Sequence, residues 1–70
     1  MREFDKLKVK NNLVYQREKN GLTQADTANA LGLSRRQFNH LENNPEAIKA
    51  GVLADLAKLY LCSITDFFKI

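Results

Sequence analysis

Hydrophobic side chains recur at helical spacing along this chain and predict an all-α protein of five short helices. Val9, Leu13 and Arg17 lie four residues apart, so they share one face of a first helix. Leu7 and Val9 alternate with lysines, and we interpret this short pattern as the start of that helix rather than a β-arm. The predicted helices span about residues 5 or 8 to 20, 24–31, 35 to 41 or 42, 50–60 and 64–69.

Residues with strong positional preferences mark the boundaries of the second and third helices. Thr23 and Ser34 are good N-cap residues, because their hydroxyls can accept hydrogen bonds from free N–H groups. Asp26 stands where a capping box normally has the longer Glu or Gln, so that box is expected to be imperfect. Gly21 and Gly32 end the first and second helices. The short connections predict a compact bundle.

The composition is typical of one small globular domain covering residues 1–70. Hydrophobic residues make up 44% and charged residues 27%, which excludes a disordered or fibrous chain. The formal net charge of +3 is mild, but it suits a polyanionic partner. No apolar run is long enough to span a bilayer and no signal-peptide pattern is present. We therefore expect a cytoplasmic protein without a membrane partner.

The chain lacks the residue sets that enzymes, metal sites and cofactor sites need. It has no nucleophile paired with a base and no glycine-rich phosphate loop, so we expect no catalysis, no cofactor and no small-molecule ligand. One histidine and one cysteine do not make a metal cluster. Cys62 ends an apolar tract, and we interpret it as a small buried hydrophobe rather than a reactive thiol.

The most informative run spans residues 21–34, GLTQADTANALGLS, and is followed at once by Arg35 and Arg36. It predicts a short helix, a tight turn at Gly32 and a second short helix that opens with two cations. This order is typical of a helix-turn-helix, whose second helix enters the major groove of DNA.

The run and its surroundings resemble the Cro/phage-repressor (XRE-type) helix-turn-helix family over about residues 9–68. Further along, Leu56-Ala57-Lys58 and Ser63-Ile64 match the family's pattern for helices four and five in the same register. Thr27 stands where the family usually has a core leucine, and Asn44 and Leu61 replace glycines that usually follow helices three and four. The remaining matches are Arg17, Gly21, Leu22, Thr23, Gln24, Ala28, Leu31, Gly32, Leu33, Ser34 and Glu42.

The resemblance implies a compact five-helix, lambda-repressor-like bundle that binds double-stranded DNA through helix three. Phe38 and Leu41 are expected to point from that helix into the core. Arg17 and Glu42 are expected to form a partly buried structural salt bridge between helices one and three. The residues expected to contact DNA are Thr23, Gln24, Ser34, Arg35, Arg36, Gln37, Asn39, His40 and Asn43.

Several of these residues have alternative interpretations. Two adjacent arginines can form a solvated helix face, although this register favours contacts with bases or phosphates. The amides of Gln37 and Asn39 can pair with adenine or remain idle at the surface. Gln24 contacts the DNA backbone, buttresses helix three or is simply a polar residue at the start of helix two. Asn43 and Asn44 either contact phosphates or form the turn. A solvated face is favoured over a DNA-binding arm for the basic stretch of Arg2, Lys6, Lys8 and Lys10.

The C-terminal part carries more large apolar side chains than a domain of this size can bury. Ile64, Phe67 and Phe68 are expected to face inward from the last helix. The exposed remainder suggests a contact between two copies of the chain. Leu61, Phe68 and Ile70 are the candidates for this dimer contact, with core packing as the alternative for each.

These observations predict a sequence-specific transcriptional regulator, a Cro-like repressor that binds a palindromic operator as a homodimer. Because no second domain is visible, dimerisation and operator binding would be the whole mechanism. The alternative is a protein-interaction module, like an anti-repressor or an antitoxin, on the same scaffold. The mild charge and the apolar C-terminal part suit that alternative, and the salt dependence of DNA binding distinguishes the two.

Overall fold

Four α-helices and two 3-10 helices make up the computed structural model, which describes residues 4–69. That range contains no strand, and none of its helices has the length and apolar character needed to cross a bilayer. The predicted fifth helix is a 3-10 helix, and Arg2 and Ile70 lie outside the described residues. The elements are α1 Lys6–Lys19, α2 Gln24–Ala30, α3 Arg35–Asn43, a first 3-10 helix Pro45–Ala47, α4 Ala50–Leu59 and a second 3-10 helix Ile64–Phe68.

Reciprocal side-chain caps start α2 and the second 3-10 helix. The Asp26 N–H donates to the Thr23 hydroxyl, and the Thr23 N–H donates to the Asp26 carboxylate, both at 3.0 Å. The expectation of an imperfect box is therefore wrong, because the shorter carboxylate still reaches the cap backbone. Hydrogen bonding of the carboxylate to the Thr23 backbone N–H, and also to the Thr23 side chain, holds the pKa of Asp26 below its usual range. At the second 3-10 helix the Ser63 N–H donates to the Asp66 carboxylate at 2.9 Å, and the Ser63 hydroxyl accepts from the Thr65 N–H at 3.3 Å.

A small apolar core lies between α1, α3, α4 and the second 3-10 helix. Val9, Leu13 and Arg17 are buried together on one face of α1, as their spacing predicts. The Phe67 ring meets the Tyr60 ring edge-on with centroids 6.2 Å apart, which joins the C-terminal segment to α4. The other buried hydrophobic residues are Ala28, Phe38, Ile48, Leu56 and Ala57.

The second 3-10 helix turns only Phe67 fully inward. Phe67 is 0% exposed, whereas Ile64 is 39% exposed and Phe68 is 45% exposed, so the expectation that all three face inward is wrong for two of them. A 3-10 helix has three residues per turn, which rotates Phe68 about a third of a turn away from Phe67. Phe68 instead meets Phe4 edge-on with ring centroids 6.5 Å apart. Ile64 starts this short helix, where less of the chain covers it.

A buried pair of hydroxyls links α2 to the end of α4. Thr27, which stands where the family that the sequence resembles usually has a leucine, is 0% exposed. Its hydroxyl donates to the Thr23 carbonyl at 3.1 Å, and the Tyr60 hydroxyl donates to Thr27 Oγ1 at 3.5 Å. The polar group in the core is therefore satisfied within the fold. Burial raises the pKa of Tyr60 to about 12.

Tyr60 makes the stability of the fold sensitive to alkaline pH. The raised pKa means that the folded protein keeps the phenol proton after the unfolded chain loses it at pH 10.0. We expect the contribution of Tyr60 to the free energy of unfolding to be constant below that pH and to fall as the pH rises toward about 12. Urea denaturation across this range measures the slope. Tyr60→Phe should flatten it, and an equally steep slope in that variant would assign the effect to other groups.

Leu61 adopts a left-handed backbone conformation that normally favours glycine. Gly21 and Gly32 take φ values of 69° and 71° after α1 and α2, and Leu61 takes 55° after α4. A leucine in this conformation costs roughly 1–2 kcal/mol, yet its side chain is 85% exposed and adds nothing to the core. The other glycine replacement behaves differently, since Asn44 has a φ of −131° and leads into the first 3-10 helix.

Candidate nucleic-acid interface

A tight turn joins α2 to α3 and sets where α3 begins. Gly32, in its left-handed conformation, lets the Leu33 N–H reach the Ala28 carbonyl at 2.8 Å. Ser34 then caps α3, because the Gln37 N–H donates to its hydroxyl at 3.1 Å and its own N–H donates to the Gln37 side-chain oxygen at 2.9 Å. These bonds order the first turn of α3, which carries the two arginines.

The two sides of α3 differ in chemistry and in exposure. Phe38 and Glu42 are buried and Leu41 is half-buried, so this side holds the helix against the rest of the fold. The opposite side carries polar and cationic groups that were expected to contact DNA. Those exposed side chains are Arg35, Arg36, Gln37, Asn39 and His40.

Arg35 and Arg36 lie beside different surface features. Arg35 lines a cleft with Thr23, Gln24 and Ala25, at the start of α2. Arg36 borders a separate shallow groove on the other flank of α3, whose walls are largely apolar. The structure therefore brings Arg35 together with the α2 candidates and separates it from Arg36. That second groove is lined by Leu33, Arg36, Gln37, His40 and Leu41.

A buried ion pair ties α3 to α1. Arg17 Nε donates to Glu42 Oε2 at 2.9 Å, and Arg17 Nη2 donates to Glu42 Oε1 at 3.3 Å. The third donor of the guanidinium, Nη1, reaches the Leu22 carbonyl at 2.8 Å. One side chain therefore holds α1, the turn after it and the end of α3, which fixes the angle at which α3 projects.

A chain of amides runs from that ion pair to the surface of α3. Gln24 Nε2 donates to Glu42 Oε1 at 2.9 Å, and Asn39 Nδ2 donates to Gln24 Oε1 at 3.3 Å. A carboxylate only accepts hydrogen bonds, so Glu42 turns the amino group of Gln24 inward and its carbonyl outward. Of the roles that the sequence leaves open for Gln24, the structure shows the buttressing contact with α3. Asn43 Nδ2 completes the chain at Asn39 Oδ1, at 3.3 Å.

Two asparagines close the C-terminal end of α3. Asn43 Nδ2 donates to the Asn39 carbonyl and Asn44 Nδ2 to the His40 carbonyl, each at 2.9 Å. Both side chains therefore fold back onto carbonyls of the last turn of α3, and the His40 carbonyl also accepts from the Asn44 backbone N–H at 2.9 Å. Lys6 also reaches this point, because its Nζ lies 2.9 Å from Asn44 Oδ1. Sequence reasoning missed that contact, since a single lysine 38 residues away along the chain gives no local signal.

The described residues include no group of three or more His, Cys, Asp or Glu side chains arranged to hold a metal ion. Cys62 is half-buried and forms no disulfide. Burial raises the pKa of its thiol, which favours the protonated and less reactive form at neutral pH.

Comparison with known proteins adds one finding to this geometry. A family model described as "Helix-turn-helix" matches residues 13–67. The chain belongs to the XRE-type helix-turn-helix family. No curated protein and no solved structure matched the chain. Membership of the XRE-type family supports a DNA-binding regulator, and the family is generally non-enzymatic.

The family match covers the part of the chain that builds the interface. It begins at Leu13 and ends at Phe67, both of which are core residues. Between them lie α2, the turn at Gly32 and α3, the two helices and the turn of the XRE-type motif.

Proposed function

We propose that this XRE-type protein is a Cro-like repressor that binds a palindromic operator as a homodimer in the cytoplasm. α3 enters the major groove of each half-site, and the bound dimer blocks access of polymerase to the promoter. The observation that carries the proposal is the division of α3 into two sides. Its buried side is anchored by Phe38 and the Arg17–Glu42 pair, while its exposed side carries two arginines, two amides and a histidine.

The exposed groups of α3 suit different parts of a duplex. Arg36 stands near the middle of the exposed side, and its planar fork fits guanine N7 and O6. Arg35 shares a cleft with the start of α2, where the DNA backbone passes in this docking geometry, so it is assigned to a phosphate. The Gln37 carbonyl is committed to the Ser34 cap, which leaves its amino group as a donor. Thr23, Ser34 and Asn43 complete the proposed contacts to the backbone.

The dimer contact is assigned to an exposed apolar surface at the C-terminal end. Leu61 and Phe68 were candidates from the sequence, and Ile64 and Phe4 add to the exposed apolar area. Phe4 and Phe68 already contact each other, so part of this surface is continuous. In an isologous dimer the same patch of both copies is covered at once.

Leu61 offers a test in which monomer stability and dimerisation move in opposite directions. Leu61→Gly removes the backbone strain, so we expect the isolated chain to gain about 1 kcal/mol of stability. The same change removes an apolar side chain from the proposed dimer contact and should weaken association. Thermal unfolding of dilute protein measures the first effect, and sedimentation equilibrium measures the second. Leu61→Ala keeps the strain and should lower association alone; unchanged association in both variants would place the dimer contact elsewhere.

The proposed function is tested by selecting ligands from a pool of random duplexes and then titrating salt against the enriched sequence. We expect a palindromic motif with half-sites about one helical turn apart. Its affinity should fall steeply with salt, because each phosphate contact releases counterions. An unenriched pool and weak, salt-insensitive binding would contradict the proposal. The protein-interaction alternative would then be examined at the apolar C-terminal surface.

A further inference from the structure

His40 lies on the exposed side of α3, and the neighbouring Asn44 determines which of its ring nitrogens donates and which accepts a hydrogen bond. Asn44 Nδ2 lies 3.4 Å from His40 Nδ1. A neutral imidazole donates a hydrogen bond from one ring nitrogen and accepts one at the other. What His40 offers to a ligand therefore depends on which way the Asn44 amide is turned.

Two hydrogen-bond partners, one a donor and the other an acceptor, hold the Asn44 amide in a single orientation. Lys6 Nζ donates to Asn44 Oδ1 at 2.9 Å, and an ammonium group can only donate. Asn44 Nδ2 donates to the His40 backbone carbonyl at 2.9 Å, and a carbonyl can only accept. Turning the amide over would break both bonds. The amide nitrogen therefore faces the His40 ring, and Nδ1 must be the acceptor.

We propose that Lys6 and Asn44 hold His40 in the tautomer with its proton on Nε2, so that His40 presents a donor to the DNA. Arg36, one turn earlier, borders the same groove and is also a donor only. Guanine is the base that presents two acceptors, N7 and O6, in the major groove. This inference rests on the proposed function and specifies its ligand: a half-site with guanine opposite Arg36 and His40.

Asn44 acts here as a positioning residue and does not itself need to touch a base. It stands where the XRE-type family usually has a glycine, which has no side chain that could face His40. The arrangement is therefore a feature of this chain. Its consequence is a preference for guanine that depends on residues at the end of α3 and at the start of α1.

The first measurement compares half-sites selected from random duplexes by the wild type and by four variants. His40→Ala identifies the position in the half-site that depends on His40. At that position we expect Asn44→Ala to lower the preference for guanine over adenine by about three- to tenfold. Asn11→Ala, which removes an exposed amide from α1, should retain the wild-type preference. Lys6→Met is a second variant that disturbs the Asn44 amide, in this case from outside α3. Thermal unfolding checks that each variant is folded.

The second measurement uses the free protein and needs no DNA. Long-range proton–nitrogen NMR spectra at mildly alkaline pH show which ring nitrogen of His40 carries the proton. We expect only the Nε2–H form in the wild type and a growing share of the Nδ1–H form in Asn44→Ala. A proton on Nδ1 in the wild type overturns the inference, and so does an unchanged guanine preference in Asn44→Ala and Lys6→Met.

The two measurements separate failure of this inference from failure of the proposed function. If the wild type enriches no motif, the proposed function and the preference for guanine both fail. The ring spectrum then still shows whether Asn44 holds the tautomer. If a motif is enriched but has no guanine at the position that depends on His40, only this inference fails.

Discussion

Arg17→Met is expected to lower the free energy of unfolding by about 3–5 kcal/mol, a large share of the stability of a small domain. Within residues 4–69, the substitution removes the only cation at hydrogen-bond distance from Glu42, whose side chain is 3% exposed. The carboxylate then stays buried with the Gln24 amide as its remaining side-chain partner. Thermal unfolding should show a midpoint lower by about 4–8 °C for each kcal/mol lost.

A second substitution separates the effect of an orphaned charge from the loss of a contact. In Arg17→Met with Glu42→Leu no buried charge remains, so we expect more than half of the lost stability to return. Recovery is incomplete because the Leu22 carbonyl also loses its donor, Arg17 Nη1. Lys69→Met, which breaks the exposed pair with Asp66, serves as the control and should leave the midpoint nearly unchanged. A double variant as unstable as Arg17→Met would refute the orphaned charge as the cause.

Replacing both Arg35 and Arg36 with alanine is expected to lower affinity for the selected operator by about a hundredfold, since each arginine–base or arginine–phosphate contact contributes roughly 1–3 kcal/mol. Both side chains are exposed on α3, and neither forms a side-chain hydrogen bond within the described part of the chain. The fold should therefore tolerate the change, and thermal unfolding of the free protein checks this. Fluorescence anisotropy with the operator and with an unrelated duplex measures the two affinities.

Lysine substitutions distinguish the shape of the arginine side chain from its charge. Arg36→Lys keeps the charge but loses the planar fork, so we expect weaker discrimination between operator and unrelated DNA at nearly unchanged salt dependence. Arg35→Ala should instead weaken binding to all duplexes and reduce the salt slope by about one. Lys58→Ala removes an exposed cation from α4 and serves as the charge control. Equal effects of the two arginines on operator and unrelated DNA would contradict their separate assignments.

The helices were predictable because their signals are local. A cap hydroxyl and the N–H that it satisfies lie three residues apart, and a helical face repeats every three or four residues. Thr23, Ser34 and Gly32 therefore mark real boundaries. The C-terminal segment was predicted less well, because a five-residue helix has too few turns for a periodic pattern, and Phe67 alone fills the available space in the core.

The candidate interface was likewise predictable from the sequence only where its signals are local. The order of residues along α3 predicted which side chains are exposed and which are buried, as Arg36 and Phe38 illustrate. No local pattern indicates that Gln24 contacts Asn39, or that Lys6 contacts Asn44, because these pairs come from different elements. Their contacts depend on how α1 and α2 pack against α3. The assignment of individual residues to DNA remains a prediction.

The sequence by itself determined the all-α character, the family and the short helix, glycine turn and cationic helix of the interface. Each of these depends on residues that are close in the chain or on a motif in a single register. Only the tertiary structure decided which atoms of the polar groups at α3 donate hydrogen bonds and which accept them. It also decided the left-handed backbone at Leu61. The polarity of an amide or an imidazole is set by whichever donor or acceptor lies beside it, and folding brings those partners from distant parts of the chain.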